Sequence, residues 1–259
     1  MADGRVLKWT LIGAVVAVIA ACGIGVLIAY RSFMGDGDIG PGTLAAEEKA
    51  ARAEGLPLEI EELLAKPPSD SNLNAAPVYR EIGPLVRGKQ PSNELFQAHG
   101  NLQKGTASAH EVALIRAELS AKASLLSRAI EASKRPSCVF ERNWSLGPSM
   151  LLPEYADLKA VTKLLNSKAI LASRAGRFEE SEEALAASFR IGGHTGAEPL
   201  LIAYLVQISI DNQALAALET ILDQNPSDPR VVAMAKRLLA TLPKKPDFRR
   251  AVLAEIAMG

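Results

Sequence analysis

Ala169-Ile-Leu-Ala-Ser-Arg-Ala-Gly176-Arg-Phe178-Glu-Glu-Ser-Glu-Glu-Ala184-Leu185 reads as a helix, a turn on a single glycine and a second helix. Gly176 follows the last strong helix former, where a residue past a helix end favours the left-handed conformation. The run Glu179, Glu180, Glu182 and Glu183 lies at the start of the second helix, where negative charge suits the macrodipole. It reads as a solvated face first and a docking patch second. Working outward, Leu158, Val161, Leu165, Ala169 and Ala172 recur in steps of three and four, and Leu164 and Leu171 add a second apolar edge. The sequence therefore predicts a helix over 154–175 that is covered on two sides. The next helix is predicted over 178–191, with Gly192 and Gly193 ending it. Upstream, Val112, Ile115, Leu119, Ala123, Leu126 and Ile130 mark one face of a long helix over 107–133, stopped by Lys134, Arg135 and Pro136. Shorter helices are predicted over 44–54, 58–65, 75–86 (capped by Asn74) and 94–103. Further ones follow over 197–222, 230–241 and 247–258. No alternation of apolar and polar residues is long enough for a sheet. The expected fold class is all-α.

The 169–185 stretch resembles a tetratricopeptide-repeat hairpin, with Gly176 at the tight turn, Phe178 opening the second helix and Ala184 as the small residue at the helix contact. Asn225-Pro226-Ser227-Asp228-Pro229 resembles a junction between such repeats. No second hairpin aligns at a period of 34 residues, so the resemblance implies a TPR-like helical-hairpin or solenoid-type domain and not a regular superhelix. The series Gly55-Leu-Pro57, Asn74-Ala-Ala-Pro-Val-Tyr79, Trp144-Ser-Leu-Gly147, Leu152-Pro153 and Ala175-Gly-Arg177 resembles an uncharacterised family of bacterial membrane-anchored helical proteins. That resemblance implies one membrane span, an exported helical domain and no known reaction. The family tends to continue beyond the position of Gly259, so a partner helix beyond that point is expected.

Residues 9–30, from Trp9 to Tyr30, contain no charge. As a helix they cover roughly 33 Å, matching the ~30 Å hydrocarbon core. Trp9 and Tyr30 mark the two ends, where aromatic side chains favour the headgroup level. Arg5, Lys8 and the terminal amine precede the span, whereas Arg31 alone follows at once, with Asp36 and Asp38 behind it. The positive-inside rule then puts residues 1–8 in the cytoplasm. Residues 31–42 read as a flexible linker and 43–259 as an extracytoplasmic domain at the bacterial inner membrane. Ile19-Ala20-Ala21-Cys22-Gly23 resembles a lipobox, which would lipidate Cys22. The apolar run continues past Cys22, which favours an uncleaved signal anchor. Through 9–30 the expected partner is the lipid bilayer.

Composition narrows the function. The chain has 259 residues, 29 basic and 29 acidic, and 48% are apolar. Beyond residue 31 there are 26 basic and 28 acidic residues once Arg5, Lys8, Arg31 and Asp3 are set aside. No dense basic face is available for nucleic acid. The apolar share is too high for an acidic disordered chain. His99, His110 and His194 share no metal-binding turn, and Cys138 is the one thiol of the exported part, so no metal and no cofactor are expected. Cys138 reads as a buried small hydrophobe. No Gly-x-Ser-x-Gly elbow or phosphate loop is present.

Two places are candidates for binding. The first is the stretch 136–153, long for a loop inside a compact domain, with Phe140, Glu141, Arg142, Asn143 and Trp144. Its alternative role is to cap the open end of the helical layer. The second is Asp211 and Asn212, polar residues in the gap of the stripe Leu201, Tyr204, Leu205, Ile208, Leu215, Leu218 and Leu222. They suit the floor of a peptide groove or an edge position reached by water or an Arg partner. The expected function is a non-catalytic interaction or scaffolding module for an unknown protein or peptide partner. The alternative is an envelope enzyme that uses the 136–153 loop with Glu141 or Asp211.

Overall fold

A computed structural model describes residues 41–88, 92–242 and 247–258. The predicted span 9–30, Cys22 and most of the linker lie outside the described residues. The chain divides into two compact units, residues 1–54 and 55–259. The first contributes helix α1 (Pro41–Ala53).

In the second unit every regular element among the described residues is a helix. These are α2 (Ala76–Arg87), α3 (Asn93–Gln103), α4 (Ala109–Ala121), α5 (Ala123–Ser133), α6 (Pro153–Arg174), α7 (Phe178–Thr195), α8 (Leu201–Gln224), α9 (Pro229–Ala240) and α10 (Phe248–Met258). The all-α class is what the 3.6-residue patterning dictates. Helix starts follow capping chemistry: the Ser92 hydroxyl accepts from the Leu95 amide, and Ser108 and Glu111 form a reciprocal capping box at α4.

The long antiparallel helices α6 and α7 turn on Gly176, whose φ of 73° suits the residue without a Cβ. Helix α8 packs on both, and this triplet is the hub of the domain. One apolar cluster joins α2, α5, the first half of α6, the end of α7 and the first half of α8 around Tyr79, Ile82, Leu158, Leu165 and Ile191. A second joins α3, α4, the end of α6, the start of α7, the end of α8 and α9 around Leu102, Ile115, Leu185, Ile221 and Met234. Near the level where one cluster gives way to the other, each central helix carries a polar group with unpartnered atoms: Asn166 on α6, Ser188 on α7 and the Asp211 Oδ1 on α8.

Five sequence expectations are corrected. Residues 107–133 do not form one helix, because the chain breaks at Lys122 (φ −107°, ψ 11°). The break lets α4 join the second cluster through Ile115 while α5 joins the first through Leu126 and Ile130. Residues 58–65 form only a 3₁₀ turn, Ile60–Leu63. Gly192 and Gly193 do not end α7. A Cβ on Gly192 would lie 2.5 Å from the Asp211 Oδ1, so the glycine is the flat surface on which α8 rests. Helix α8 begins at Leu201 and not at 197, since Pro199 disfavours helical backbone at Glu198. Asn74 is not the N-cap of α2, since Ala75 holds that position without a side-chain cap bond. The Asn74 side-chain amide accepts from the Ala76 and Val139 amides and donates to the Val139 carbonyl, tying the helix start to the loop.

Among the described residues one helix, α8, is long and apolar enough to cross a membrane. It lies mid-chain, packed against α6 and α7, with Gln207 buried on its inner side.

Candidate functional site

The 136–153 loop is drawn inward by one side chain. Arg142 follows the buried Phe140, and its guanidinium is 2% exposed. Nε donates to the Glu198 Oε1 at 2.5 Å and Nη2 to Oε2 at 2.7 Å, a bidentate pair. Nη1 reaches the Glu154 Oε2 at 3.1 Å, and Arg80 holds the other Glu154 oxygen at 2.9 Å. Tyr155 donates its hydroxyl to Glu198 at 2.6 Å, and the Arg142 guanidinium lies 5.1 Å from the Phe140 ring centroid. Burial opposes the Arg142 charge, but the bonds to Glu198 outweigh it and raise its pKa. Burial pushes the Cys138 thiol well above its usual range, with the Glu198 charge adding to the effect. Two guanidinium and two carboxylate charges are thus consumed by one another.

The remaining loop residues are peripheral to this cluster. Glu141 is exposed and gives only its carbonyl, which accepts from Arg80. Asn143 accepts from the Ser145 hydroxyl, and Trp144 opens a 3₁₀ turn, Trp144–Ser149, half-buried on the first apolar cluster. The loop therefore clamps α2, α6 and the start of α8. The residues that hold it, Arg80, Glu154, Tyr155 and Glu198, have no local signal in the sequence because they lie 12 to 62 positions from Arg142.

Asp211 and Asn212 part company. Asp211 turns onto α7 against Gly192, and one oxygen takes a 3.4 Å hydrogen bond from Gln207. Burial pushes its carboxyl up to about 6. Asn212 is exposed, in line with Leu205, Ile208 and Leu215 on the face of α8 turned away from α6 and α7. Leu205 is 52% and Leu215 38% exposed. Tyr204 beside them meets the Phe248 ring of α10, with centroids 5.3 Å apart.

A third place went unmarked in the sequence. A cleft of about 420 Å³ opens between α3, α6 and α8. On its wall the buried His99 bonds Ser167 through Nδ1 at 2.7 Å and Glu118 through Nε2 at 2.8 Å. Glu118 also accepts from Lys122 at 2.7 Å. Burial works against the Glu118 charge, but the bonds from His99 and Lys122 prevail and hold its carboxyl at about 2. An ionised Glu118 can only accept, so the His99 Nε2 carries the proton of that bond. The available signal was the polar pair Asn166-Ser167 inside the apolar α6 pattern, with Ser167 four residues after Lys163 and Asn166 seven after Lys159.

Comparisons with family models, with curated proteins and with solved structures give no match to this chain.

Proposed function

We propose that the chain is a membrane-anchored helical recognition module that holds a protein or peptide partner on the extracytoplasmic side of a bacterial membrane. The observation that carries this reading is the outer face of α8. Leu205, Ile208 and Leu215 form an apolar line with Asn212 set in it, on a helix whose opposite face is built into the hub. An exposed apolar line with one hydrogen-bonding amide suits the apolar side of an amphipathic segment. The α6–α7 hairpin, turning on Gly176 with Ala184 fully buried, supports the tetratricopeptide-type reading of that pair. The charge-free stretch 9–30 supports anchorage in the bilayer, and the flanking Lys and Arg support a cytoplasmic N-terminus.

The test is cross-linking in intact cells followed by mass spectrometry, comparing the full chain with its Leu205→Glu, Leu215→Glu double variant. A specific partner captured by the wild type and lost in the variant, with an unchanged melting temperature, is the expected outcome. Capture of the same partners by both proteins would remove the α8 face from the proposal.

A further inference from the structure

We propose that the cleft between α3, α6 and α8 is a binding site for a small organic carboxylate that also carries an amide. The first observation is Asn166. It is 4% exposed, it lines the cleft, and neither its Oδ1 nor its Nδ2 has a hydrogen-bond partner among the described residues. A buried primary amide without partners costs folding free energy. Ser167 shows the contrast: its hydroxyl meets His99 and the Lys163 carbonyl. The unpaired amide offers a donor and an acceptor side by side, the pattern that a second amide complements with two hydrogen bonds.

The second observation is charge. Lys159 and Lys163 line the same cleft one helical turn apart, and neither has an ion-pair partner among the described residues. Like charges at this spacing repel. Burial lowers the Lys163 pKa, and its ammonium sits 4.6 Å from the Phe96 ring centroid. An anion entering here relieves the repulsion and returns a counter-charge to a partly desolvated ammonium. Phe96, 63% exposed at the rim, supplies an apolar cover for the carbon skeleton. The far end is closed by Gln103, whose amide donates to the Gln213 carbonyl at 2.9 Å. The volume of about 420 Å³ falls within the size range of small-molecule sites.

The larger cleft of about 590 Å³ beside Phe178 lacks these features. Its Arg230 and Arg237 are paired with Asp228 and Glu182. An anion there would have to displace carboxylates already in place.

The inference is independent of the α8 partner face and is tested on the full chain in detergent micelles by titration calorimetry at pH 7.5. The probes are N-acetyl-L-glutamate, succinate, N-acetyl-L-alaninamide and inorganic phosphate. The expected result is saturable binding of N-acetyl-L-glutamate, with succinate and N-acetyl-L-alaninamide each weaker by about tenfold or more. Asn166→Leu and Lys163→Met should each weaken N-acetyl-L-glutamate by about tenfold or more. Asn166→Leu should also leave the melting temperature of the empty protein unchanged or raised, because it deletes an unpaired buried amide of similar volume. No saturable binding of any probe overturns the proposal. So does equal binding of inorganic phosphate that survives Asn166→Leu, which would reduce the site to a pair of surface lysines. A lower melting temperature in Asn166→Leu likewise overturns it, since the amide would then be serving the fold.

Discussion

Replacing Asp211 by Asn should stabilise the domain at neutral pH and lose that advantage in mild acid. The carboxyl is wedged against Gly192, one oxygen has no partner, and burial raises it from 3.8 to about 6. A raised carboxyl pKa means that the folded state binds the proton more tightly than the unfolded chain. Stability therefore falls as pH rises from about 4 to about 6, and the full penalty stands above that window. Two units correspond to roughly 3 kcal/mol at pH 7.5 and about 1 kcal/mol at pH 4.5. The substituted amide still leaves a buried group unpaired, which takes back about 1 kcal/mol. The net gain should be about 2 kcal/mol at pH 7.5 and near zero at pH 4.5. With a urea slope of roughly 2–3 kcal/mol/M, the midpoint should rise by about 0.7–1 M at the higher pH. Urea unfolding followed by circular dichroism at the two pH values measures this directly. Destabilisation of Asp211→Asn at pH 7.5, or a gain of equal size at both pH values, would refute the argument that Asp211 is strained by burial.

Removing the centre of the loop clamp with Arg142→Met should cost about 3–5 kcal/mol, because Glu198 is left as a buried uncompensated charge; a urea midpoint close to wild type would mean that the clamp is open in solution. Ala184 is fully enclosed between α6 and α7, so Ala184→Leu should cost about 1–3 kcal/mol by overpacking. Glu180→Ala, which removes partly exposed pairs with Arg177 and Lys168, should cost at most about 1 kcal/mol in the same unfolding assay. A reporter fused after Tyr30 should be active outside the cytoplasm, and activity only inside would reverse the orientation expected from Arg5 and Lys8.

The helices were legible because their patterning is local. The stripe from Leu158 to Ala172 and the glycine at 176 define α6, the turn and the start of α7 in steps of three or four residues. What misled the reading was tertiary. Gly192 and Gly193 look like a helix stop until Asp211 and Gln207 of α8 are seen against that side of α7. The break at Lys122 lies inside an unbroken apolar stripe, and only the presence of two separate clusters explains why the helix divides there. For the candidate site, Arg142 was marked by its loop, but Glu198 lies 56 residues away and gives no hint of pairing. Asn212 lies on the exposed outer face of α8, whereas Asp211 beside it turns onto α7, a division set by the 100° step between neighbours on a helix. His99 was weighed only as a metal ligand, and its bond to Ser167 spans 68 positions of sequence.

Gly192 and Gly196 act as detents against sliding of α8 on α7. A hub made of Leu, Ile and Ala alone presents nearly equivalent seats every turn, about 5.4 Å apart, and mis-seated forms differ little in energy. The two glycines remove that degeneracy, because a Cβ on Gly192 would lie 2.5 Å from the Asp211 Oδ1 and one on Gly196 would overlap the Gln207 Oε1. A slip of one turn in either direction would set Asp211 or Gln207 against a residue that carries a Cβ, and the two helices would have to part. A domain with few aromatic anchors thus gains a single register from two positions that hold no side chain.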